Sequence, residues 1–194
     1  MAQIREAAIA EFSLHGFKGV STQMIAQRAG ITKQQLHYYI KGKEHLYEEL
    51  LFGLLKNWTD AFTFDHQTDD PRHTLAHYIR TKLDYALDQP ELSRLFTNEV
   101  LSGGTNLEKY WPIAVRDTNK AVAAIQHWMD RGLMRRMDPH LLLMHIWAMT
   151  QHYADYGVQA RVMLGLEADA ALPREQIADE LVNLVLLGCG LPAL

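Results

Sequence analysis

Five side chains able to hydrogen-bond a polar partner crowd into barely two helical turns between Thr32 and Ile40: Lys33, Gln34, Gln35, His37 and Tyr38. Helical spacing turns Leu36, Tyr39 and Ile40 to the opposite, inward side. Glutamine presents a donor and an acceptor that match the adenine edge, and lysine matches the acceptors of guanine. The set therefore suits the major groove of duplex DNA. A helix of two turns is unstable in isolation and needs a docked neighbour. The preceding residues supply one. Ser21 is placed to cap a helix whose small apolar face is Ile25, Ala26 and Ala29; Gly30 permits a left-handed turn, and Thr32 caps the next helix.

A second set lies in HIWAMTQHYADY, His145 to Tyr156, where Trp147 and Gln151 stand four apart and share a helix face. An aromatic plane beside an amide is suited to holding a small planar heterocycle. Two pairs at helical spacing, His73 with His77 and His152 with Asp155, invite a metal. Zinc needs three or four converging ligands, and neither a CxxC nor an HExxH pattern is present. We therefore expect no metal and no cofactor, with His152 and Asp155 in a buried polar network. Catalysis is not expected either. None of Ser13, Ser21, Ser93 and Ser102 sits in a G-x-S-x-G elbow, no glycine-rich loop follows a strand, and Cys189 in LLGCGL reads as a small apolar residue.

The elements that must hold these residues are all helical by periodicity. Residues 2–15 place Ile4, Ala7, Ala8, Glu11 and Phe12 on one face, and Gly16 and Gly19 end that helix. From about Lys43 a longer helix carries Leu46, Leu50, Leu54 and Trp58 at four-residue steps; joining head to body, it would move the head if tilted. Thr63 to Arg72 reads as a polar loop. Leu75, Tyr78, Ile79, Leu83 and Ala86 form the next face, and Pro90 opens the helix after it. A stretch from Leu107 to Met134, bent at Pro112, follows. Asp138 and Pro139 begin one long helix through HLLLMHIWAMTQHYADYGVQARVML, and a last helix carries Ile177, Leu181, Leu184 and Val185. The spacing predicts an all-α fold of about nine helices. The last two long ones are apolar around much of their circumference, as in a buried core or a subunit interface.

Composition fits a globular protein, 48% hydrophobic and 22% charged. No apolar run approaches the roughly 18 residues of a membrane span, and the start, MAQIREAAIAEF, lacks the layout of a signal peptide. One cysteine forms no internal disulfide, so a cytoplasmic location is expected, away from membranes. The net charge of −4 conceals a split. Residues 1–43 hold Arg5, Lys18, Arg28, Lys33, Lys41 and Lys43 against Glu6 and Glu11, a net +4 that leaves −8 for the remainder. A basic head on an acidic body concentrates phosphate attraction where the short helices lie.

The segments GF-K-G, IAQRAGIT and YY-I-K-G-KE make the first fifty residues resemble the DNA-binding half of TetR-family transcriptional regulators. The resemblance implies a helix-turn-helix domain over 1–43 and a helical ligand-binding and dimerisation domain over 44–194. It implies that Lys33 to Tyr39 enters the major groove of an operator and that Ser21, Thr32, Tyr39 and Lys43 touch its backbone. It also implies that the final two helices of two chains pair into a homodimer. The family's usual threonine, an aromatic and a phenylalanine are here Val20, His37 and Ile40, departures expected to bear on which operator is read. IWA-TQHYAD, with YIR-KL, SRLF and DP-HL, is similar to a pyrimidine-utilisation repressor subgroup. That similarity implies a pyrimidine or other planar small-molecule effector near Trp58, Trp147 and Gln151, with Tyr78, Phe96 and Trp111 as further lining candidates. The expected function is a ligand-responsive DNA-binding regulator, a repressor. A sensor of cationic drugs is the alternative within the fold; an all-helical enzyme or metal-binding protein is the alternative from another class. QHYADY as a purely structural motif also stays open.

Overall fold

Helix-capping side chains, rather than strong intrinsic propensity, fix where the short helices of this chain begin. The computed structural model describes residues 1–61 and 68–193, so the first half of the loop expected from Thr63 to Arg72 lies outside the described residues. The elements are α1 (Ala2–Gly19), α2 (Thr22–Arg28), α3 (Lys33–Tyr39), α4 (Lys43–Ala61), α5 (Pro71–Asp88), α6 (Pro90–Leu101), a 3-10 turn (Thr105–Leu107), α7 (Trp111–Asp130), α8 (Pro139–Asp155), α9 (Gly157–Met163) and α10 (Arg174–Gly188). No strand occurs among the described residues.

The chain packs as two compact units, one of Met1–Trp58 with Glu91–Trp111, the other of Thr59–Pro90 with Pro112–Leu194. In the first, α1, α2 and α3 share a core with α4 and α6. Phe12, Ile25, Leu36, Leu51, Leu95 and Leu107 are fully excluded from solvent in it. Ser21 caps α2 by accepting from the Met24 amide at 3.2 Å. Thr32 and Gln35 form a reciprocal capping box over the start of α3. Gly30 at φ 67 makes the turn between them, a conformation that a Cβ would strain. The buried Glu11 carboxylate accepts from Arg28 Nε at 2.5 Å and ties α1 to α2.

In the second unit, α5 packs against α8 and α10. Its core holds Leu75, Ile79 and Leu83 of α5, Ile125 and Trp128 of α7, Leu143 and Ile146 of α8, and Val182 and Leu186 of α10. Asp70 caps α5 ahead of Pro71, and Asp138 caps α8 ahead of Pro139 by accepting from the His140 and Leu141 amides. Arg174 pairs with Asp84 at 2.5 Å and with Asp88, fastening α10 to α5 at the surface.

Three boundaries differ from the periodicity. Gly16 adopts φ 67 and ψ 171 inside α1, so the helical path breaks there and resumes to Gly19. The stretch from Leu107 to Met134 is a 3-10 turn followed by α7, with Pro112 in its first turn instead of at a bend. The run after Pro139 breaks at Tyr156, φ −114 and ψ 28, followed by Gly157, a poor helix former. That break gives ten α-helices among the described residues where periodicity counted about nine.

Candidate nucleic-acid interface and effector site

The capping box sets the exposed face of α3. Thr32 Oγ1 accepts from the Gln35 amide at 3.1 Å, and Gln35 Oε1 accepts from the Thr32 amide at 2.8 Å. The Gln35 carbonyl is therefore committed to the protein, which leaves its NH2 to face outward. Lys33, Gln34, His37 and Tyr38 are exposed, as are Ser21 and Thr32. Tyr39 departs from its expected inward position: it is 52% exposed and meets Tyr38 edge to face at 5.3 Å. The physical reason is the helix end. The backbone turns extended at Ile40 (φ −124, ψ 144), so Leu36 and Ile40 alone fill the core and Tyr39 swings to solvent.

Lys43 points back into the protein. Its Nζ donates to the carbonyls of Phe17 and Val20, each at 3.0 Å, and lies 4.3 Å from the centre of the Phe17 ring. These contacts fix the segment that leads to Ser21, the cap of α2. Of the three departures from the family pattern, Val20 and Ile40 are buried core residues. Only His37 is on the surface that would meet DNA, so it alone is placed to bear on which operator is read.

The candidate effector residues fall in both units. In the first, Trp58 and Phe96 meet edge to face at 4.9 Å, and Trp111 is 38% exposed. In the second, Trp147 Nε1 donates to the Tyr78 hydroxyl at 2.7 Å, which fixes the plane of the indole. Burial pushes the Tyr78 phenol up to about 12, keeping it neutral. Gln151, one turn along α8 from Trp147, donates Nε2 to Asp155 Oδ1 at 2.9 Å. Sequence reading passed over Lys82. Its ammonium lies 6.0 Å from the centre of the Trp147 ring, and burial lowers its pKa to about 7 although the residue as a whole is only partly buried. The signal was available: Tyr78 and Lys82 are four apart, on one helix face.

His152 is exposed and stacks on Tyr156 at 5.2 Å; it is not part of a buried network, and Asp155 is held by Gln151 instead. The reason is its place on α8: Leu142, Leu143, Ile146, Thr150 and Ala154 form the buried face, and His152 falls outside it. His73 sits 2.6 Å from Asp70 as part of the α5 cap, and His77 is exposed. No group of three or more metal-capable side chains occurs among the described residues. Cys189 is buried with Sγ 3.9 Å from Met137 Sδ, and burial pushes its thiol up to about 11, which leaves little thiolate at neutral pH. Among the described residues no helix is long and apolar enough to cross a membrane.

Residues 4–50 match the family described as bacterial regulatory proteins, tetR family, and residues 51–192 match the YcdC-like protein, C-terminal region. The chain is 36% identical over 164 residues to the HTH-type transcriptional regulator RutR of Escherichia coli strain K12, covering 84% of this chain and 77% of that one. Its fold is similar to the ketosteroid transcriptional regulator KstR2 of Mycobacterium tuberculosis, with a TM-score of 0.78 at 20% identity, covering 96% of this chain and 93% of that one. It is similar also to AibR solved with isovaleryl coenzyme A and operator DNA, with a TM-score of 0.69 at 21% identity over 93% and 95% of the two chains.

Proposed function

Since the chain belongs to the TetR family of bacterial transcriptional regulators, we propose that it represses from a two-fold operator as a homodimer and releases DNA when a pyrimidine binds its helical body. The observation that carries the DNA half is the outward row on α3, Lys33, Gln34, His37, Tyr38 and Tyr39, presented by a capped helix too short to stand alone. In this reading Gln34 and Lys33 reach base edges with His37 and the Gln35 amine. Ser21, Thr32 and Tyr39 touch phosphates, and Lys43 braces the backbone beneath them. Residues 1–43 form the DNA-binding part, and 44–194 carry effector and partner.

Pairing of two chains is supported by large apolar side chains left in water on the helices the resemblance assigns to it. Leu141 and Met144 of α8 and Leu184 and Leu187 of α10 are each at least half exposed. Two-fold pairing sets two heads about 34 Å apart, the spacing of successive major grooves.

The effector half rests on the oriented Trp147 indole, with Tyr78, Lys82 and the Gln151 amide around it. A planar ring stacked on the indole would meet hydrogen-bonding groups at its edge, as a pyrimidine requires. The similarity to RutR and to pyrimidine-utilisation repressors supports that ligand class. A coupling of about 1–3 kcal/mol between ligand and DNA changes operator affinity roughly 5- to 150-fold. Thermal melting with uracil, thymine, a fatty acyl compound and a cationic dye tests the ligand class. A rise in midpoint with the pyrimidines alone supports it, and a rise with the dye alone overturns it.

A further inference from the structure

Glu99, on α6, is 3% exposed, and sequence reading gave it no role. A carboxylate held out of water costs several kcal/mol unless donors surround it. Glu99 has three such bonds. Tyr47 donates its hydroxyl to Oε2 at 3.0 Å, Asn106 donates Nδ2 to Oε2 at 3.0 Å, and the Asn106 amide donates to Oε1 at 2.9 Å. The preceding residue, Asn98, donates Nδ2 to the Ser13 carbonyl at 2.9 Å. Adjacent residues of α6 are thus fastened to α4 and to α1, all within one compact unit.

Contacts lead on from Tyr47, through Phe17 and Lys43, to the segment that ends at Ser21.

 Its ring lies 4.8 Å from both Phe12 and Phe17, in the core that α1 and α4 share. One turn earlier on α4, the Lys43 ammonium lies 4.3 Å from the centre of the Phe17 ring and holds the carbonyls of Phe17 and Val20. Val20 is followed directly by Ser21, whose side chain starts α2. Burial, reinforced by the Glu99 charge, pushes the Tyr47 phenol far above its ordinary range, so its hydroxyl stays a donor. An apolar residue would fill the same space on α6 with no desolvation cost.

We propose that Glu99 is a positioning residue for DNA binding: through Tyr47, Phe17 and Lys43 it sets the segment that carries Ser21, and with it the presentation of α2 and α3. The proposal rests on the DNA-binding reading of α3. It makes α6 part of the body that engages the operator, with the buried carboxylate as the joint.

The test uses the full-length protein, a duplex selected by the wild type from a random-sequence library, and fluorine NMR of 3-fluorotyrosine at Tyr38 and Tyr39. Glu99→Leu and Tyr47→Phe are each expected to weaken duplex binding about tenfold, the two losses failing to multiply in the double variant because they break one path. The Tyr38 and Tyr39 resonances shift in both variants, and Glu99→Gln, which keeps an acceptor for Tyr47 but turns an NH2 towards an Asn106 donor, recovers part of the resonance shift and of the affinity. Folded variants with wild-type affinity and unmoved resonances would overturn the proposal, as would losses that multiply. Should Glu99→Leu fail to fold, Tyr47→Phe decides by the same two readouts. If the wild type selects no duplex, the DNA-binding reading fails, while the resonances still decide whether Glu99 governs the α3 surface.

Discussion

The Lys43 ammonium, at the start of α4, and the Val20 carbonyl, between α1 and α2, meet at 3.0 Å although α2 and α3 separate them in the chain. A charge-assisted bond of this kind contributes roughly 1.5–3 kcal/mol, and Lys43 makes a second one to Phe17. Lys43→Met is therefore expected to lower the thermal midpoint by several degrees and to weaken binding to every duplex alike. Gln34→Ala should leave the midpoint alone and relax preference at one base pair. Melting curves with anisotropy titrations over a panel of singly changed duplexes separate the two effects.

Leu36 is completely buried and anchors a helix of seven residues. Leu36→Ala should cost about 2–5 kcal/mol of stability in urea unfolding and abolish specific DNA binding, since α3 has little else to hold it down. A loss below about 1 kcal/mol would contradict the docking argument.

Lys82 makes stability depend on pH. Its folded pKa of about 7 lies below the 10.5 of an exposed lysine, so between those values the unfolded chain binds more protons. Wild-type stability should rise with pH across that window, other groups aside. Below about 7 the full cost of holding the ammonium is present. Lys82→Met should be more stable than the wild type at pH 6 by roughly 2–4 kcal/mol, a discount being made because the residue is only partly buried. The advantage should shrink steadily towards pH 10. Unfolding curves at several pH values would sink the idea if the difference stayed constant.

Trp147→Ala and Gln151→Ala should remove the midpoint shift given by uracil while leaving duplex affinity within about twofold of the wild type. Collapse of the fold in both variants would instead mark QHYADY as a structural motif.

Leu184, 62% exposed on α10, tests the pairing of chains. Leu184→Glu should shift sedimentation towards a monomer and weaken operator binding, because one head grips one half-site only. A variant that sediments like the wild type would remove α10 from the interface.

Local chemistry was legible in the sequence where one residue answers another a turn away. The Thr32 cap, the Gly30 turn and the caps at Asp138 and Ser21 are of this kind, while the reciprocal bond of Gln35 went unread. Periodicity failed at helix ends. It faced Tyr39 inward because it assumed another helical residue after it, and it ran α8 through Tyr156 because the apolar pattern continues there. Long-range partnerships were hidden. Glu99 stands four residues after Leu95, so the two share a face of α6, yet the sequence reading gave it no role. Nothing in the chain order says that Tyr47, 52 residues earlier, supplies one. For Lys43 the resemblance implied a contact to the operator backbone, and its bonds to the Phe17 and Val20 carbonyls went unread, since carbonyls have no sequence signature.

The most direct measurement is the affinity of the full-length protein for a selected duplex and for a scrambled one of the same length, by fluorescence anisotropy at about 150 mM salt. The account predicts a preference of about a thousandfold or more for the selected duplex, with most of it lost in Gln34→Ala combined with His37→Ala. Equal affinity for the two duplexes would contradict it.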